Sequence, residues 1–318
     1  MATVSLDWSE FAPALLAGGV LTIGNFDGVH LGHQALIGTA RRLASTLGAP
    51  AIAVTFDPPP HQVLHPESLT LRPPLTTLAD RAELLQRAGA DHVVILRASP
   101  ALLSLSPEAF FEDVVVRQLA ARGIVEGYNF RFGRARAGTN DLLHRLCAVA
   151  GLAFEEVPQV LHKGEPVSSS RVRVALLAGD VALAAELLAR PYRIAGKVTT
   201  GAKRGRTIGF PTANLSEIPT VLPGTGVYAA WATVAGKMWP AAINIGSNPT
   251  FGEDARKVEV HLIGFTGNLY DQLLQVDLVA RLRDTQPFSS VAELTAQLQR
   301  DVEQVSTVLH QRSPRGHE

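Results

Sequence analysis

Two histidines three positions apart stand in the block Gly24-Asn25-Phe26-Asp27-Gly28-Val29-His30-Leu31-Gly32-His33. Residues with that spacing share one face of a helix, so both imidazoles can reach a single ligand. Three glycines let backbone approach closely. Free N–H groups at a helix start favour an anion, and two imidazole donors there can stabilise charge growing on a phosphoryl group. A glycine-rich turn whose histidines only pack or cap would look similar. Zinc is the weaker alternative, because no third ligand stands at useful spacing and H-E-x-x-H is absent. Far downstream runs Val167-Ser168-Ser169-Ser170-Arg171-Val172-Arg173. Its hydroxyls can cap a helix start and reach phosphate oxygens, and Arg173 can neutralise a triphosphate through paired contacts.

A second set of residues suits phosphate in a different way. Gly201-Ala202-Lys203-Arg204-Gly205-Arg206-Thr207-Ile208-Gly209-Phe210-Pro211-Thr212-Ala213-Asn214 is glycine-rich and basic. Such a loop can fold over ATP phosphates, with Lys203, Arg204 and Arg206 supplying charge. It is not a Walker A loop, since G-x-x-x-x-G-K-[ST] is missing. Glu259 lies in the alternating run Lys257-Val258-Glu259-Val260-His261-Leu262. It is either a solvated outward carboxylate or an inward one with a task. His261 shares its side of the strand and reads as structural.

The elements that must carry these groups change character along the chain. Val20–Ile23, 51–56, 92–96 and 123–127 read as buried strands, and 31–47, 79–88 and 107–120 as helices. Strand–helix alternation implies a parallel sheet covered on both faces. From residue 192 the pattern becomes 192–199, 227–234, 237–245, 258–265 and 274–282, all strand-like, followed by an amphipathic helix over 289–309. Many strands separated by turns suggest a small antiparallel barrel. The period switches near 185–192, so the expected domains are 1–186 and 187–318.

Bulk properties exclude several classes. A length of 318 residues fits two domains at roughly 100–200 residues each. Lys+Arg and Asp+Glu both total 29, which argues against a general nucleic-acid binder. Cys147 stands alone, so neither an intramolecular disulfide nor a cysteine-built zinc site is expected. No apolar run approaches ~18 residues and the N-terminus has no basic signal region, so the expected location is the cytoplasm, away from membrane. A monomer or weak homo-oligomer is expected.

His30-Leu31-Gly32-His33 resembles the H-x-G-H signature of the nucleotidyltransferase superfamily, and the SSSRVR run resembles its I-S-S-T-x-I-R element. The full GNFDGVHLGH block is similar to that of the bacterial bifunctional riboflavin kinase/FMN adenylyltransferase family, as are Glu126-Gly127-Tyr128-Asn129-Phe130-Arg131-Phe132-Gly133, Gly209-Phe210-Pro211-Thr212-Ala213-Asn214 and the V-E-x-H element at Glu259. This resemblance runs from about residue 20 to about residue 303.

It implies a Rossmann-like nucleotidyltransferase domain followed by a small antiparallel β-barrel riboflavin kinase domain with a closing helix. In the first domain ATP would meet Gly24, Asn25, Phe26, Asp27, Gly32, Ser169, Ser170 and Arg173, with His30 and His33 catalytic. Flavin would meet Phe56 and Asn129. In the second, Gly201, Lys203, Gly205, Arg206, Gly209, Phe210 and Pro211 would hold ATP, and Thr212 and Asn214 the Mg²⁺ that accompanies it. Asn248, Pro249 and Thr250 would face flavin, and Glu259 would be the base. Riboflavin and ATP would be substrates, FMN an intermediate and FAD the product.

Four positions depart from the family pattern. His61 stands in a TFDPHPR-like stretch where a more basic residue is usual. Gly264 replaces an Asp or Asn, and Asp271 follows Tyr270 where Gly is common. Ser170 replaces Thr but keeps the hydroxyl. A tRNA-linked adenylating enzyme also carries H-x-G-H, but no K-M-S-K-S run is present. A non-catalytic flavin-binding protein is the remaining alternative.

Overall fold

The computed structural model describes residues 1–9, 13–66, 73–200, 205, 208–248 and 253–311. By internal packing the chain divides into two compact units, Met1–Ser169 and Ser170–Glu318.

The first unit is a doubly wound α/β layer. Its strands are β1 (Ala2–Leu6), β2 (Val20–Ile23), β3 (Ala51–Asp57), β4 (His92–Arg97), β5 (Gly123–Gly127) and β6 (Ala153–Val157). They form one sheet in the order β1-β4-β3-β2-β5-β6, and every pairing is parallel. β2 through β5 read as near-continuous apolar runs because helices cover both faces. On one face lie α1 (Leu31–Leu47) and α3 (Leu78–Arg87), which bury Ile37, Ala40, Ala44, Ala82 and Leu85. The opposite face packs under α4 (Pro100–Ser104), α5 (Pro107–Phe110) and α6 (Asn140–Ala150), with Leu102, Phe110, Leu143 and Cys147 in the core. α5 runs on as a π-type segment, Phe111–Gln118, adding Phe111, Val114 and Val115. The short α2 (Pro60–Leu64) follows β3, and a two-stranded hairpin, β7 (Leu161–His162) with β8 (Glu165–Pro166), precedes the seam.

The second unit begins with α7 (Ser169–Leu177), whose first residue closes the unit before it, and α8 (Val181–Leu188). β9 (Tyr192–Thr199), β10 (Ala213–Ser216), β11 (Gly226–Val234), β12 (Lys237–Asn248), β13 (Glu253–Leu262) and β14 (Leu273–Arg283) close into a barrel in the order β10-β13-β12-β11-β14-β9. All its pairings are antiparallel. Ile194, Val198, Leu215, Ile243, Ile245, Val258, Val260, Val276 and Leu278 are buried inside. α9 (Val291–Gln311) lays Val305 and Leu309 against Ala229 and Val279. An ion pair anchors it: Arg283 Nε donates to Asp301 Oδ1 at 2.9 Å and Nη2 to Oδ2 at 2.7 Å.

Five strands escape the sequence pattern, β7 and β8 because each has only two residues. β1 and β6 are outer strands of the sheet, where one flank is unpaired and alternation is weak. β10 is only four residues long. β13 also ends at Leu262, not Phe265, because Gly264 sits at φ 75° and turns the chain. Cys147 is a buried free thiol, its pKa pushed up by burial to about 11.

Candidate active sites

β2 has neighbours on both sides that lead away in opposite directions, so the sheet order reverses between β2 and β5. A crevice at the carboxyl ends of such strands is where open α/β sheets bind ligands. Residues 24–30 leave β2 there. Phe26 (φ 47°), Gly28 (φ 85°) and Val29 (φ 42°) all take left-handed backbone, coiling the loop tightly before α1. Phe26 and Val29 are buried and fix the coil from beneath.

His30 is the N-cap of α1, and its Nδ1 accepts from the His33 backbone N–H at 3.4 Å. The two imidazoles stack with centroids 3.7 Å apart. Gly32 leaves room for the stack, since a Cβ there would press on the His30 ring at 3.1 Å from Cε1. Phe26 meets His33 edge-on at 5.2 Å. His33 is half-buried as a residue, but its Nδ1 is sealed from solvent with no hydrogen-bond partner among the described residues. Burial first, then the neighbouring His30 and Arg81, holds its pKa well below the usual imidazole value. A neutral ring results, one that can offer an N–H to an anion without bringing a charge of its own.

Asp27 is a structural hinge of this loop. Its Oδ1 accepts from Leu75 N at 2.8 Å and Thr76 N at 3.3 Å. Its carbonyl accepts from Ser169 Oγ at 2.8 Å, which brings the head of the SSSRVR run onto the GNFDG loop. Gly24 continues β2 by donating to Val54 O, and Asn25 is exposed at the rim, its carbonyl accepting from Thr55 Oγ1 at 3.2 Å. Phe56 is half-buried against the core and Asn129 is exposed just after β5. Ser170 and Arg173 lie on α7 in the second unit, exposed and half-buried respectively. His61 is exposed on α2.

Two charged groups in this crevice were not singled out as site residues from the sequence. Glu126 is buried on β5, and its Oε1 accepts from Ile23 N at 2.7 Å. Burial raises its pKa well above the ordinary carboxylate value. Arg81 is 4% exposed on α3. Among the several charges of α3 it did not stand out; its place on the core-facing stripe with Ala82 and Leu85 was the available signal.

In the barrel, register assembles the second constellation. Asn214 on β10 pairs with Glu259 on β13, and Glu259 pairs with Asn244 on β12. All three are half-buried, whereas Val258 and Val260 fill the interior. The outward placement of Glu259 is therefore the one adopted, because the interior is a packed apolar core. The Gly209–Asn214 segment lies over this outer face. Pro211 O is 2.8 Å from His261 Nδ1, and the Phe210 ring meets His261 at 5.5 Å. Phe210 N and Ile208 N both donate to Gly205 O. A Cβ on Gly205 would fall 2.2 Å from Phe210 O, so only glycine closes this turn. Gly209 is left-handed at φ 88°, and Thr212 is exposed next to the turn. Asp271 takes φ 64°, a conformation that suits the glycine common there, and pairs with Lys197 at 3.1 Å. Gly201, Lys203, Arg204, Arg206, Pro249 and Thr250 lie outside the described residues, as does the side chain of Asn248.

Together these features define a two-module protein: a nucleotidyltransferase-type α/β unit and a flavokinase-type barrel in one chain. Residues 13–171 match the FAD synthetase family and 188–309 the riboflavin kinase family. A bifunctional riboflavin kinase/FMN adenylyltransferase of Pseudomonas fluorescens is 40% identical over 90% of this chain and 91% of its own. Its counterpart in Escherichia coli K12 is 36% identical over 89% and 90%. A solved structure from Streptococcus pneumoniae, named as a macrolide-efflux protein, superposes with TM-score 0.86 at 30% identity over 95% of this chain and 98% of that one. Among the described residues no helix is long and apolar enough to cross a membrane. The chain belongs to the bifunctional riboflavin kinase/FMN adenylyltransferase family.

Proposed function

We propose that the barrel phosphorylates riboflavin to FMN and that the α/β unit then adenylylates FMN to FAD, each with its own ATP. The observation that carries this reading is that the loop 24–33 and the segment 209–214 lie in separate units, each within its own family match. The functional division is placed at 186 and 187, supported by the gap between the two family matches.

In the barrel, Glu259 takes the proton from the riboflavin 5′-hydroxyl. The oxygen attacks the γ-phosphorus of ATP, the bond to the β-phosphate oxygen breaks, and ADP leaves. Pro211, fixed by His261, sets the loop that carries the ATP-facing residues Gly205, Gly209 and Phe210. Thr212 and Asn214 offer hard oxygen donors beside Glu259, which suits Mg²⁺. Among the described residues no cluster of three His, Cys, Asp or Glu could cage a metal, so these donors fit an ion shared with the nucleotide. That ion would neutralise phosphate charge.

In the α/β unit, an FMN phosphate oxygen attacks the α-phosphorus of ATP and pyrophosphate leaves. The α1 N-terminus, His30 and His33 face the phosphates, and Ser169, bonded to Asp27 O, extends the grip. Neutral His33 donates a hydrogen bond to oxygen as negative charge grows. Phe56 and Asn129 serve the flavin. A cytoplasmic monomer or weak homo-oligomer that binds no nucleic acid completes the reading, supported by the balanced charge and the single free thiol.

Incubating the purified protein with riboflavin and MgATP and separating the flavins by chromatography tests it. FMN should appear first and FAD after it; absence of both products would reject the assignment.

A further inference from the structure

Arg81 is a buried cation whose bonding capacity is largely unused. A guanidinium carries five N–H donors in a rigid fork. Here Nη1 makes one long bond, 3.4 Å to Thr55 Oγ1, and the buried Nε has no partner among the described residues. An arginine kept only to join a helix to a strand would spend its donors on carbonyls or carboxylates, since an unpaired buried donor is costly. Asp27 and Asp57 are near enough to favour its charge, yet neither forms an ion pair with it among the described residues.

Its position is tied to the ligand loop. The segment entering α3 is held to that loop by Asp27 Oδ1, which accepts from Leu75 N and Thr76 N, and by Thr76 Oγ1, which accepts from Gly28 N. Thr55 Oγ1 meets Arg81 on one side and Asn25 O on the other. Thr55 immediately precedes Phe56, and His33, itself with a sealed and unpartnered Nδ1, feels the Arg81 charge. Two incompletely bonded polar side chains thus flank the loop at the carboxyl end of β2.

We propose that Arg81 grips the phosphate of FMN in the adenylyltransferase unit and aims its oxygen at the incoming nucleotide. This rests on the adenylyltransferase reading above. A phosphate monoester dianion matches the guanidinium fork in charge and geometry. The ATP side already has the α1 N-terminus and Ser169, which leaves the Thr55–Phe56 side for the flavin phosphate.

Steady-state assays of FAD formation from FMN and MgATP decide it. Arg81→Gln should raise the KM for FMN about tenfold or more while the KM for ATP stays within about twofold. Phosphorylation of riboflavin by the same variant should match wild type, which certifies folding of the rest of the chain. Arg81→Lys, which keeps charge but loses the fork, should fall between. An unchanged KM for FMN, or a rise confined to ATP, overturns the assignment. Should Arg81→Gln fail to fold, Arg81→Lys carries the test alone by the same two KM values. A wild-type protein that makes no FAD from supplied FMN would instead reject the adenylyltransferase reading itself.

Discussion

The imidazole planes of His30 and His33 lie 17° from parallel at 3.7 Å between centroids. Two charged rings could not rest that close, and burial has already driven His33 toward its neutral form. The pair therefore carries at most one positive charge between its two rings.

His33 should stay uncharged well below pH 6.5, a state that ¹⁵N chemical shifts of its ring would report. A folded pKa below the unfolded one stabilises the fold above about pH 6.5, and that contribution fades as pH falls toward the folded value. His33→Ala should lower the rate of FAD formation by about 10²–10³-fold, the usual scale for losing one oxyanion donor. FMN formation should persist. Loss of both activities would contradict the separation of the sites.

Glu126 bonds to Ile23 N in the gap where β2 and β5 part, since their pairing stops at Leu21 and Ile124. Its raised pKa means the folded state binds a proton that the unfolded chain releases above about pH 4.5. Stability is then lost as pH rises through the folded pKa. Glu126→Gln keeps the acceptor for Ile23 and removes the titration. Urea unfolding at acid and neutral pH should show the variant gaining on wild type as pH rises. Parallel curves would mean that Glu126 is charged in both states.

What the sequence disclosed was what short-range chemistry writes into neighbouring residues. GNFDGVHLGH and the glycine-rich run that ends in GFPTAN declared themselves because a tight loop tolerates few side chains, as Gly32 and Gly205 show by what a Cβ would meet. β2 to β5 were visible as apolar runs. Glu126 and Arg81 were not singled out, because a lone charge in an amphipathic segment looks solvated until the packing around it is known. The row Asn214–Glu259–Asn244 depends on register between strands distant in sequence, and no local pattern encodes that register.

Asp301 is almost fully buried on α9 and receives both arms of Arg283 from β14, with Gln297 Nε2 donating to the same Oδ1. Removing one member of a buried pair leaves the other charge uncompensated. Asp301→Ala should cost about 3–5 kcal/mol. Chemical denaturation should show the barrel unit weakened, with riboflavin phosphorylation lost at a lower denaturant concentration than in wild type. A shift within about 0.5 kcal/mol would place the anchoring of α9 in Val305 and Leu309 alone.

Glu259 and His261 share the outer face of β13, yet they have different tasks, and their variants should separate them. Glu259→Gln keeps the cross-strand neighbours Asn214 and Asn244 but cannot accept a proton. The kcat for FMN formation should fall by about 10²–10⁴-fold, the range for general-base loss. Binding of riboflavin should remain, and FAD should still form from supplied FMN. His261 instead holds Pro211 O and backs Phe210. His261→Ala should therefore act on the loop over the nucleotide, raising the KM for ATP more than it lowers kcat, with His261→Asn restoring part of the loss through its amide donor. A Glu259→Gln enzyme of undiminished kcat would remove the base from Glu259 and leave that carboxylate a solvated outer residue.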